Sequence, residues 1–131
     1  SIRLPGTGGG NDISSLTQMI VSMKQEKRRF VEKVDFITSP GYLNGDSSRQ
    51  DAGLISGGMY RVVTDLAIMG FDENTRAMKV EALHPGVTVE EVRDNTGFDI
   101  LIDDDPETTE APTEEELSIL RHLDPDRLYI A

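Results

Sequence analysis

Tyr60-Arg61-Val62-Val63-Thr64-Asp65-Leu66-Ala67-Ile68-Met69 is the most apolar stretch of the chain. Its near-continuous apolarity over a short length reads as one strand covered on both faces. Gly70-Phe71-Asp72-Glu73-Asn74 then reads as a turn, and Ala77 to Leu83 alternates Met78, Val80 and Ala82 against Lys79, Glu81 and Leu83. That period of two predicts a second strand, paired with the first as a hairpin and ended by Pro85-Gly86.

Beyond the hairpin, Thr88 stands three residues before Glu91, the spacing of a capping box, so a helix is expected from Val89 to about Asn95 with Gly97 closing it. Phe98 to Ile102 reads as a short strand, and Asp103 to Pro112 as an acidic connector. Thr113 precedes Glu116 by the same three residues, and Leu117, Ile119, Leu120 and Leu123 form a helical stripe that Asp124-Pro125 stops.

Before the hairpin, Asn44 to Gly58 reads as loop. Phe30, Val31, Val34, Phe36 and Ile37 fit either period and are terminated by Thr38-Ser39-Pro40-Gly41. Ile20, Val21 and Met23 make a short run expected to be a buried strand, with a short helix over Ile13 to Thr17 before it. Pro5 to Asp12 reads as a loop ending in two competent helix caps, Asn11 and Asp12.

Length and charge bound the function. The 131 residues make one domain or part of one. Cysteine is absent and there are two histidines, so thiol chemistry and disulfides are excluded and a metal centre is not expected. The net charge of −11 includes eight acids between Asp103 and Glu116, which leaves about −3 elsewhere. Such a balance disfavours nucleic acid as a partner. The basic run Lys24 to Lys33 contains Glu26 and Glu32, so a solvated or salt-bridged face is expected there. The apolar runs are too short to cross a membrane, and the chain reads as soluble and cytoplasmic. Ser1-Ile2-Arg3 has no initiator Met and runs at once into the glycine loop, as a truncated or processed chain would.

The densest candidate for chemistry is Gly6-Thr7-Gly8-Gly9-Gly10-Asn11, followed by Asp12. Residues without a Cβ let backbone amides converge on a phosphate or an oxyanion. Taken alone, such a run is more often a linker or turn, and it is neither a Walker loop nor a dinucleotide fingerprint. Asp65 stands out as a carboxylate in an apolar strand, and the structural reading, a member of a hydrogen-bonded network, outweighs the catalytic one. His84 ends a strand and is expected to face solvent or an interface, His122 is expected at the surface, and Ser14 and Ser15 have no visible His–Asp company.

Arg61-Val62-Val63-Thr64-Asp65-Leu66-Ala67 with Gly70-Phe71-Asp72, then His84-Pro85-Gly86-Val87-Thr88-Val89-Glu90-Glu91-Val92 and Asn95-Thr96-Gly97-Phe98, closely resemble the C-terminal half of family I CoA-transferase small (beta) subunits, of the type found as the B subunit of glutaconate CoA-transferase. Lys27 to Tyr42 and Pro112 to Pro125 resemble the family as well, so the likeness covers nearly the whole chain. It implies a Rossmann-like α/β fold of the CoA-transferase superfamily, incomplete in this chain, with residues 1–131 as the C-terminal part of one small-subunit domain and the glycine loop at 5–12. It also implies a heteromer with the CoA-transferase A subunit that moves CoA between carboxylic acids, with acyl-CoA and a carboxylic acid as substrates and no cofactor beyond CoA itself. In that family a glutamate attacks the acyl-CoA to give an anhydride and then a glutamyl-CoA thioester. The GxGG pattern of the family matches Gly6 to Gly9 and places that loop at the active site. The family's glutamate motif has no match here, so the nucleophile is expected outside this chain. Two further readings stay open: one component of a hydrolase that opens a CoA-thioester ring in steroid degradation, and a non-catalytic structural component.

Overall fold

The computed structural model describes residues 8–128 of the protein. Five strands, β1 (Gln18–Ser22), β2 (Gly58–Val63), β3 (Ala67–Phe71), β4 (Met78–Leu83) and β5 (Leu101–Thr108), form one sheet in sequential order. Four helices accompany them: α1 (Gly10–Leu16), α2 (Ser48–Asp51), α3 (Val89–Asp94) and α4 (Glu114–Leu123). β1 runs parallel to β2 and β4 parallel to β5, while β2–β3 and β3–β4 are antiparallel. The α/β, Rossmann-like expectation holds at the two parallel crossovers, with an antiparallel meander at the centre of the sheet.

The stretch 60–69 is two strands rather than one. Thr64 and Asp65 fold the chain back because their side chains satisfy backbone groups that a continuous strand would have used. The Thr64 hydroxyl accepts from the amides of Leu66 at 3.1 Å and Ala67 at 2.9 Å, and the Asp65 carboxylate accepts from the Gln25 amide at 2.7 Å. Val62 thereby pairs with Met69 and Val63 with Ile68. Asp65 is an exposed turn residue in a hydrogen-bonded network, as its structural reading expected, although it does not lie in a strand. The turn expected over Gly70 to Asn74 starts two residues later, since Gly70 and Phe71 belong to β3 and the Asp72 carboxylate caps the amides of Asn74 and Thr75.

The acidic connector also departs from its expectation, because Asp103, Asp104, Asp105 and Glu107 lie within β5. β5 is an edge strand, so its carboxylates keep their hydration, and Lys79 on β4 neutralises Asp103 at 2.8 Å. The strand expected over 98–102 therefore starts later and runs further. β1 is likewise an edge strand rather than a buried one, with Ile20 62% exposed. The segment 30–37 forms neither helix nor named strand, only a bridge from Val31 to Gly97, and a four-residue helix interrupts the loop at 44–58.

The core lies on β3 and β4. Ala67, Met69, Val80 and Val92 are essentially inaccessible, and Phe30, Val62, Leu66, Leu83 and Ile100 complete the cluster. Thr88 caps α3 by accepting from the Glu91 amide, which turns Val92 into this core. α4 carries the full capping box of Thr113 and Glu116, yet none of its residues is buried.

Candidate functional site

Gly8 takes a left-handed φ of +57°, which a residue with a Cβ rarely adopts, and turns the chain into α1. Gly9 is the N-cap and Gly10 the first helical residue, with no side-chain hydrogen bond to the cap. Helix α1 thus starts three residues before its expected beginning. Asn11 and Asp12 lie in the first turn rather than capping it; the Asn11 carbonyl accepts from the buried Ser14 hydroxyl at 3.0 Å. A Cβ built on Gly8 or Gly9 would meet nothing within 4 Å, so the space in front of this backbone is open. The first amides of a helix have no intrahelical acceptor, so those of Gly10 and Asn11 are donors facing the start of α1. Gly8, Gly9, Gly10 and Asn11 follow one another through the turn and into the first turn of α1, while Gly6 and Thr7 lie outside the described residues.

The far end of α1 is fixed to the sheet. The Thr17 carbonyl accepts from the Gly58 amide at 3.1 Å, and Gly57, at φ +72°, packs so closely on the Thr17 backbone that a side chain there would collide with it. Arg49 of α2, only 3% exposed, adds three bonds: one terminal nitrogen donates to the Gly41 carbonyl at 2.8 Å, the other to the carbonyls of Ser15 at 2.7 Å and Ser56 at 2.6 Å. Its Nε is buried without a partner. Sequence reasoning missed Arg49, because an arginine in a Gly/Ser/Asp-rich stretch carries no sign that it will be buried.

A second polar cluster joins the β2–β3 turn to α3. Buried Gln25 accepts from the Thr64 hydroxyl at 2.9 Å and donates to the Thr96 hydroxyl at 3.0 Å. His84 is half-buried between the Thr64 carbonyl and the Thr109 hydroxyl rather than facing solvent. His122 is exposed, as expected. Arg28 and Arg29 both bind Glu26, holding its carboxyl below its ordinary pKa and bearing out the salt-bridged face expected there.

Three cavities of about 620, 610 and 590 Å³ lie elsewhere, beside α4, along the acidic β4–β5 margin, and between Leu43 and Arg76. Among the described residues no His, Asp or Glu cluster could hold a metal ion, and no helix is long and apolar enough to cross a membrane. On α1 and the segments next to it several large apolar side chains are exposed: Ile13, Leu16 and Ile20 are more than half exposed and Ile55 is 88% exposed.

Residues 1–95 match the coenzyme A transferase family. The chain is 39% identical over 130 residues to the B subunit of the glutaconate CoA-transferase of Acidaminococcus fermentans, covering 98% of this chain and 48% of that protein. It is 42% identical over 124 residues to the B subunit of the 3-oxoadipate CoA-transferase of Pseudomonas knackmussii, covering 94% and 48%. The crystal structure of glutaconate coenzyme A-transferase from Acidaminococcus fermentans superposes with a TM-score of 0.89 at 38% identity, over 100% of this chain and 51% of that one. The chain spans about half the length of the curated relatives it matches. With a family match over most of its residues and a near-complete superposition, this chain belongs to the coenzyme A transferase family.

Proposed function

We propose that this chain is the C-terminal part of the small (beta) subunit of a heteromeric CoA-transferase that moves CoA between carboxylic acids, dicarboxylic ones among them. The observation that carries the reading is its likeness, over nearly all its length, to the B subunits of two CoA-transferases whose names specify dicarboxylic acids. The CoA-transferase A subunit is the partner, the compartment is the cytoplasm, and CoA enters as substrate with no separate cofactor. The exposed apolar side chains on and near α1 support completion by further polypeptide, since several large apolar groups left in water in one region favour an interface.

In this reading Gly6, Thr7, Gly8, Gly9, Gly10 and Asn11 form the CoA or oxyanion subsite. The open backbone in front of Gly8 and Gly9 suits it, because amides fixed in place stabilise negative charge as it develops on a thioester oxygen. A glutamate from outside these residues attacks the acyl carbon and expels CoA thiolate. The thiolate then attacks the resulting anhydride at the glutamyl carbonyl, releasing the first acid and leaving a glutamyl-CoA thioester, and the second acid reverses both steps.

The test is isotope exchange with the full-length small subunit assembled with its larger partner. Label from acetate should appear in acyl-CoA when a dicarboxylic acyl-CoA is supplied. Exchange at background sinks the transferase reading. Uptake of water into a cyclic CoA thioester, read by mass spectrometry, would instead indicate the ring-opening hydrolase.

A further inference from the structure

We infer that Arg49 is a positioning residue for the glycine loop, holding α1 so that the amides of its first turn keep their direction; this rests on the reading of that loop as the CoA or oxyanion subsite. Three segments distant in sequence converge on one guanidinium: the end of α1 through Ser15, the loop at Gly41, and the residue two before β2 through Ser56. All three acceptors are backbone carbonyls, and among the described residues no carboxylate pairs with this buried cation. A buried charge is costly unless its hydrogen bonds are well made, and here one N–H, at Nε, is left unpaired. The planar guanidinium can serve several carbonyls at fixed angles, which a lysine ammonium cannot reproduce. Its place also suits a helix C-terminus, where the last carbonyls lack intrahelical donors and the dipole favours a cation. Because α1 has only seven residues, any tilt at Ser15 is carried directly to Gly9 and Gly10 at its other end.

The experiment uses the full-length small subunit in the heteromer with its larger partner, in wild-type form and as Arg49→Lys, Arg49→Met and Gly9→Val. Turnover is referred to the number of active sites, counted by mass spectrometry of the CoA-bound subunit. We expect kcat per site to fall roughly 10- to 100-fold in both Arg49 variants, the scale of a small misplacement of catalytic groups. KM for acyl-CoA should move less than kcat. A merely structural arginine would lower the number of sites and leave kcat per site unchanged, and that result overturns the inference. If Gly9→Val loses turnover while both Arg49 variants keep it, Arg49 has no positioning role. If Gly9→Val keeps full turnover, the glycine-loop reading itself fails. Should both Arg49 variants fail to assemble, amide hydrogen exchange of the wild-type heteromer decides. Residues 13–17 and 49–58 should then be slowed together by bound acyl-CoA, and independent protection of the two segments counts against the coupling.

Discussion

The Nε2 of His84 lies 2.9 Å from the carbonyl oxygen of Thr64, and this bond pins the turn between β2 and β3 to the end of β4. A carbonyl can only accept, so Nε2 carries the proton. Nδ1, 2.9 Å from the Thr109 hydroxyl, then accepts from that hydroxyl in the neutral ring. The ring is expected as the Nε2–H tautomer, readable from the nitrogen shifts of its imidazole. His84→Ala removes both bonds and should cost about 1–3 kcal/mol, the usual penalty for unpairing buried polar groups. Denaturant unfolding measures it, and a loss below about half a kcal/mol would show that the turn holds without the histidine.

Gly57 and Gly53 offer a controlled comparison, since both have left-handed φ, +72° and +79°. A Cβ at Gly53 meets nothing within 4 Å, whereas one at Gly57 runs into the Thr17 backbone. Gly53→Ala should therefore cost only the conformational penalty, about 1–2 kcal/mol. Gly57→Ala should cost clearly more, because the approach of α1 to β2 must widen as well. Equal losses in denaturant unfolding would mean that α1 yields freely.

The core makes a simpler demand. Met69 is fully inaccessible at the middle of the sheet, so Met69→Ala leaves a cavity in addition to losing apolar burial. A destabilisation of about 2–5 kcal/mol is expected. Ile55→Ala, at an 88% exposed position, should change the stability of the isolated chain by no more than about half a kcal/mol. In the heteromer proposed above, weaker assembly of Ile55→Ala would assign the exposed apolar side chains near α1 to the interface with the larger subunit.

Local devices were legible in the sequence, and devices completed by distant residues were not. Thr113 with Glu116, and Thr88 with Glu91, announce helix starts within four residues, and both helices stand where expected. The alternation of Met78, Val80 and Ala82 likewise located β4. Thr64-Asp65 misled because its apolar flanks imitate one long strand, whereas the Thr64 hydroxyl caps the amides of Leu66 and Ala67 and Asp65 is held by Gln25, forty residues away. The aspartates of β5 read as a connector because strand propensity disfavours them, but pairing with β4 along an edge overrides propensity. Within the candidate site the glycines were visible as a motif. The anchoring of α1 depends on Ser15, Gly41 and Ser56 meeting at Arg49, which no local pattern encodes.

The last prediction concerns acid. Glu116 accepts from the amide of Thr113 at 2.8 Å and from its hydroxyl at 2.9 Å, and these bonds hold its carboxyl below the ordinary value of 4.5, the amide bond contributing most. A carboxyl lowered by folding contributes stability that is fully present above its unfolded pKa and is lost as pH falls through the folded one. The start of α4 should therefore stay intact from neutral pH down to about the ordinary carboxylate value and fray below it. Because no residue of α4 is buried, the loss should be confined to the helix and leave the sheet folded. Amide exchange or chemical shifts of residues 114–118 followed against pH measure this, with Glu116→Gln as the control that removes the titration. A transition in α4 that persists unchanged in Glu116→Gln would assign the acid sensitivity to another group.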